Sequence, residues 1–192
     1  MSQQRSDRLR RHGYNGTTLT QISEASAATI GSIYHFFPGG KEALAVAVVE
    51  TTGAVYKELF ESIVAEADDA AAAYVDFFTA AAVVLEESDF IDPCPIGTIA
   101  REVANTSEPL RQAAKSAFDS WIAAAHAHLT AAGIPGDVAD ELAALFVSTV
   151  EGAFVLCRTL RTTTPLIGAS RHLAAVVENA RADVAARSSA RT

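Results

Sequence analysis

The chain has 192 residues, of which 49% are hydrophobic, and a formal net charge of −8. Such a length and composition support one buried core, or one core plus a small N-terminal module, and exclude a chain that stays disordered. The acidic balance excludes a whole-surface binder of nucleic acid, but the charge is uneven. Residues 1–45 carry five basic side chains (Arg5, Arg8, Arg10, Arg11, Lys41) against three acidic ones (Asp7, Glu24, Glu42), a balance of +2, while residues 46–192 stand at −10. Only the first quarter is electrostatically suited to phosphates. No apolar run approaches the ~20 residues of a membrane-spanning helix. The opening "MSQQRSDRLRRHGYNG" has no apolar core of a signal peptide. Cys94 and Cys157 are too few and too far apart for a disulfide framework or a zinc site. A cytoplasmic protein without membrane association is expected.

Alternation is scarce and alanine, the best helix former, dominates, so the chain is expected to be all-α. In chain order, residues 17–37 divide into two short helices. Thr17 or Thr18 caps the first, "LTQISEAS", with Leu19, Ile22 and Ala25 turned inward. Thr29 caps the second, "IGSIYHFF", with Ile33 and Phe36 or Phe37 packed on the first. Two helices joined by so short a turn form a helix-turn-helix, whose second helix enters the DNA major groove. Small residues at its N-terminal end permit close approach to base edges, and its free N–H groups and hydroxyls suit phosphate. The aromatics at the far end are expected to anchor it to its own module.

A long amphipathic helix follows from Lys41, with Leu44, Val48, Val55 and Leu59 on one stripe, ending near "EADDA". A second runs from about Ala70 to Glu87, before the break "SDFIDPCP". Pro95 suits the first turn of a short helix, "IGTIAREVAN". Ser107 is the expected N-cap of a helix reaching Ala132, stopped by Gly133. The last two helices span about 136–161 and 165–187. The first of them is apolar or small on two sides, more than one chain can cover, so a two-fold dimer through both helices is predicted.

The stretch "GYNGTTLTQISEASAATIGSIYHFFPGGKEALAVAVV" resembles the DNA-binding segment of TetR-type transcriptional regulators. The resemblance lies in the Gly-Tyr before the Thr-rich cap, the Gly-Ser-Ile-Tyr-His-Phe-Phe helix and the Lys-Glu-Ala-Leu start of the next one. "FPGGKEAL" and "CPIGTIARE" resemble the LmrA/YxaF-like subgroup. The resemblance implies about nine helices, a DNA-binding domain over residues 1–45 and a ligand-binding and dimerisation domain over 46–192. It implies phosphate contacts by Thr17, Thr29, Tyr34, His35 and Lys41, with Ile30, Gly31 and Ser32 facing bases. The family usually has Gly in the turn where this chain has Ala27, so a residue with a Cβ must take that conformation. Ile30, standing where a basic or small polar residue is common, is suited to a thymine methyl. The family also has a long amphipathic helix before Gly-Tyr. Here only Met1 and Leu9 are apolar in that stretch, so the native start is expected upstream.

The implied function is a ligand-responsive repressor that binds a near-palindromic double-stranded DNA operator as a homodimer. A small apolar or aromatic effector would release it by binding the wide-spaced state more tightly. Candidate effector-binding residues are Phe77, Phe78, Ile99, Val103, Phe118, Trp121, Phe146, Val150 and Phe154. The alternative is a small all-α ligand-binding protein or enzyme that has lost DNA binding. No catalytic signature, cofactor site or metal site is expected. His126 and His128, at i and i+2, point to different helix faces whether grouped with Glu102 or Glu151, and Cys94 reads as a small buried hydrophobe.

Overall fold

The computed structural model of the chain describes residues 9, 12–91 and 94–189, with side chains as far as 186. Among these residues there are eight α-helices and no strand: α1 (Leu19–Ser26), α2 (Ile30–Phe36), α3 (Gly40–Glu66), α4 (Ala70–Glu87), α5 (Pro95–Val103), α6 (Glu108–Ala131), α7 (Gly136–Leu160) and α8 (Thr164–Ser189). The all-α expectation holds. The first of the expected nine helices falls mainly on residues 1–8, 10 and 11, so Met1, Arg5, Arg8, Arg10 and Arg11 lie outside the described residues. Leu9 and His12 have helical backbone, Leu9 is fully buried, and its carbonyl accepts from Gly13 N–H at 3.0 Å.

The chain divides into two compact units, Met1–Val55 with Ile91–Phe118, and Tyr56–Phe90 with Asp119–Thr192. The helices α3 and α6 each contribute residues to both.

In the first unit, Leu9, Ile22, Ile33, Leu44, Val48, Ile96, Ile99, Val103 and Leu110 are buried. The cap of α1 is Thr18, whose hydroxyl accepts from Gln21 N–H while the Gln21 side chain accepts from Thr18 N–H, a reciprocal capping box. The turn to α2 is the three residues 27–29. Ala27 takes φ 51 and ψ 25, and the N–H of Ala28 bonds to Ser23 O at 3.2 Å. An alanine in this left-handed region costs about 1 kcal/mol, the strain that glycine would avoid. Gly40, at φ +64, opens α3 after the Pro38-Gly39 break. A side chain at Gly53 would meet the Ala117 Cβ at 2.8 Å, so α3 and α6 touch there almost backbone to backbone.

In the second unit, α8 packs against both α4 and α7. Asp69 caps α4, accepting from Ala71 and Ala72 N–H at 2.8 and 2.9 Å. At the other end of α4, Asp89 and Phe90 both have positive φ. Arg158 donates to Phe90 O and Arg161 to Asp89 O, which holds the exposed carbonyls of that turn.

By length and composition alone α7 is long and apolar enough to cross a membrane. It nevertheless buries Ala139, Leu142, Ala143, Phe146, Val150, Ala153 and Cys157 in the helical unit. It also carries Asp137, Asp140, Glu141, Glu151 and Arg158. A core helix passes the same compositional test.

Candidate functional site

The outer face of the helix-turn-helix is built by burying one side of α2. Ile33 is fully buried, and around it Thr29, Ile30, Gly31, Tyr34 and His35 are exposed, with Ser32 half-buried. Thr29 caps α2, its hydroxyl oxygen accepting from Ser32 N–H at 3.1 Å. Tyr34 is 50% exposed, and its ring packs on Gly40, where a Cβ would stand 3.0 Å from Cε1. A side chain at Gly31 would meet nothing nearer than the Thr29 hydroxyl at 3.9 Å. The chain's own packing therefore does not require a glycine in the first turn of α2.

Two sequence expectations change. Thr17 is buried, and its hydroxyl donates to Gly13 O at 2.8 Å, so it secures the turn before α1 and does not present a hydroxyl to phosphate. Thr18, exposed, is the cap instead. Phe36 does not anchor α2: it is 67% exposed, edge-on to His35 with ring centroids 5.1 Å apart. Ile33, fully buried, and the half-buried Phe37 at the C-cap hold the helix instead.

Lys41, in the first turn of α3, sets its ammonium 4.0 Å from the centroid of the Tyr14 ring. Burial lowers the Lys41 pKa, and the nearby Glu102 carboxylate works in the opposite direction. Burial also raises the Tyr14 pKa, with the Glu42 charge adding to it. Tyr14 as a seat for Lys41 was missing from the sequence reading; the Gly-Tyr pair was visible, but its contact with a residue 27 positions on was not.

The nine candidate effector residues fall into both units. Ile99 and Val103 are buried, and Phe118 half-buried, in the first. In the second, Phe77, Phe78 and Phe146 meet in one aromatic cluster, with Phe146 centroids 5.2 Å from Phe77 and 5.9 Å from Phe78. Val150 is buried and Phe154 half-buried on the same helix as Phe146. Trp121 is half-buried and packs edge-on to Tyr56 at 6.0 Å. The cluster also takes in Phe60, Tyr74 and His128, which the sequence reading omitted. The Tyr74 hydroxyl is buried with no hydrogen-bond partner among the described residues, and burial pushes its pKa up.

Residues 9–48 match the family described as bacterial regulatory proteins, tetR family, and residues 70–172 match that described as transcriptional regulator LmrA/YxaF-like, C-terminal domain. The chain is 37% identical to the HTH-type transcriptional regulator YxaF of Bacillus subtilis over 155 residues, 81% of either chain. It is 31% identical to the HTH-type transcriptional regulator LmrA of the same organism, over 81% of this chain and 82% of that one. A TetR transcriptional regulator from Legionella pneumophila shares the fold, with a TM-score of 0.78 over 88% of this chain and 90% of the other at 24% identity. With its helix-turn-helix geometry and these matches over both parts, the chain belongs to the TetR family of bacterial transcriptional regulators and carries a C-terminal domain of the LmrA/YxaF type.

Proposed function

We propose that this regulator is a ligand-responsive repressor that binds a near-palindromic operator as a homodimer and leaves it when a small apolar or aromatic effector binds. The observation that carries the DNA-binding half is Gly31. A helical glycine costs up to about 1 kcal/mol relative to alanine, and nothing among the described residues packs closely enough on Gly31 to need it. A glycine on an exposed face is explained by an external surface that comes close, as base edges do beside a recognition helix. Around it, Ile30, Ser32, Thr29, Tyr34 and His35 supply an apolar contact, hydroxyls and rings for bases and phosphates. Thr18 stands in for Thr17 at the start of α1, and Lys41 contacts the backbone. Residues 1–45 form the reading head and 46–192 the sensor and dimer domain.

The dimer half rests on α7 and α8. Leu145, Val155, Leu156 and Leu160 of α7 and Val176 of α8 are exposed. Ala144, Ser148 and Gly152 make a stripe at four-residue spacing beside them, and a side chain at Gly152 would meet nothing within 4 Å. Small residues flanked by leucines suit a second helix packed closely by a two-fold axis. The effector half rests on the Phe77, Phe78 and Phe146 cluster and the unpartnered Tyr74 hydroxyl, which suit a flat apolar molecule with a hydrogen-bonding group. Regulation, not catalysis, and a cytoplasmic location follow from this role. The test is a gel-shift assay with DNA from upstream of the protein's own gene. A retarded band that fades steeply as salt rises is expected; a protein that binds none of that DNA at low salt is not the repressor proposed.

A further inference from the structure

The helix α5 carries a carboxylate that reaches back to the turn before the helix-turn-helix. Glu102 Oε2 accepts from the Asn15 N–H at 2.8 Å. Gly13, at φ +71, leaves the space into which that carboxylate fits, since a Cβ there would collide with Glu102. Between these two residues stands Tyr14, whose ring carries the Lys41 ammonium 4.0 Å away. The Glu102 charge also favours the protonated form of Lys41. A second tie lies at the other end of the head: Ser107, which caps α6 by accepting from Leu110 N–H, donates its hydroxyl to Glu42 Oε1 at 2.6 Å. All these residues belong to the same compact unit.

We propose that Glu102 is a positioning residue for DNA binding: it ties the Gly13–Asn15 turn to α5 and, through the Tyr14 ring, decides where the Lys41 ammonium stands. The inference rests on the DNA-binding reading above. A hydrogen bond to a backbone amide is directional, so it holds the turn in place where a merely apolar contact would let it slide. Lys41 has a flexible stem and a single compact charge. Seated on a held Tyr14, it is presented in one place; with the turn released, it searches many and meets phosphate less often. A shift of α5 thus reaches the reading head directly, by a route other than the covalent link through α3.

The experiment uses the full chain, with a duplex from upstream of its own gene as probe in fluorescence anisotropy, and hydrogen exchange read at the Asn15 amide. Glu102→Ala is expected to speed Asn15 exchange and to weaken DNA binding about tenfold, with the slope of log K against log salt shallower by about one. Lys41→Ala alone is expected to give the same change in slope, and the double variant to add little to it. Glu102→Gln, whose amide oxygen still accepts from Asn15, restores both protection and affinity to within about twofold. Should Glu102→Ala fail to fold, Glu102→Asp, one methylene too short for the bond, takes its place with the same expected direction. Faster Asn15 exchange with unchanged affinity and slope overturns the proposal, as does equal weakening by Ala and Gln. A wild-type protein that binds no DNA overturns the repressor reading and this inference together.

Discussion

Apart from its chain neighbours and its own helix backbone, the nearest atom among the described residues to a side chain placed on Gly31 is the hydroxyl oxygen of Thr29, 3.9 Å away. Gly31→Ala therefore fits the folded chain without a clash and gains helix propensity, worth up to about 1 kcal/mol. The added methyl group would stand where a base edge is proposed to approach. The variant is expected to be more stable in chemical denaturation and at least about tenfold weaker for DNA. Stabilisation with undiminished binding would place α2 with another face, or no face, toward DNA.

Ala27 shows the reverse balance. Its left-handed backbone, φ 51, is strained by the Cβ, so Ala27→Gly should relieve about 1 kcal/mol, partly offset by the greater freedom of glycine in the unfolded chain. A net gain of about 0.5 kcal/mol is expected, seen as a rise of the denaturation midpoint with unchanged slope. A lower midpoint would mean that Ala27 makes contacts which outweigh its strain.

Leu156 is 52% exposed on the α7 face proposed to meet a second copy. A charge there would be buried without a partner in a dimer and harmlessly solvated in a monomer. Sedimentation is expected to find the wild-type protein dimeric and Leu156→Glu mainly monomeric, with helix content retained. A monomeric wild-type protein removes the dimer from the proposal.

The two N-cap bonds to Asp69 favour its charged form. The bond from the Ala72 N–H, then that from Ala71, lowers its pKa below the ordinary 3.8. A depressed carboxyl adds stability that is complete above its unfolded pKa and lost as pH falls through the folded one. Asp69→Ala should accordingly destabilise the chain at pH 7 and show a much smaller difference near pH 2. A difference that stays constant with pH would mean the N-cap acts through packing and not through its charge.

Helix order was legible in the sequence because caps, breaks and periodicity act over a few residues. Thr29 and Ser107 sit at the N-caps expected of them, as such residues do wherever free N–H groups need acceptors. Thr17 or Thr18, and Phe36 or Phe37, stood as alternatives in the sequence, because local patterning does not separate neighbours. Thr17 lies next to the true cap, Thr18, and which of the two turns inward depends on the Gly13 carbonyl. Phe36 and Phe37 are equally apolar, and only tertiary packing decides that Phe37 is the one partly covered.

The sequence by itself determined an all-α chain and a helix-turn-helix with a small, hydroxyl-rich leading end; these depend on local hydrogen bonds and on side-chain spacing. Tertiary structure alone decided that Lys41 rests on Tyr14, that Glu102 meets Asn15, and that Phe60 and Tyr74 join Phe77, Phe78 and Phe146. These contacts join residues distant in sequence, and they arise from the burial of the apolar sides of the helices. Periodicity names the side a helix will bury, but not the neighbour it will bury it against.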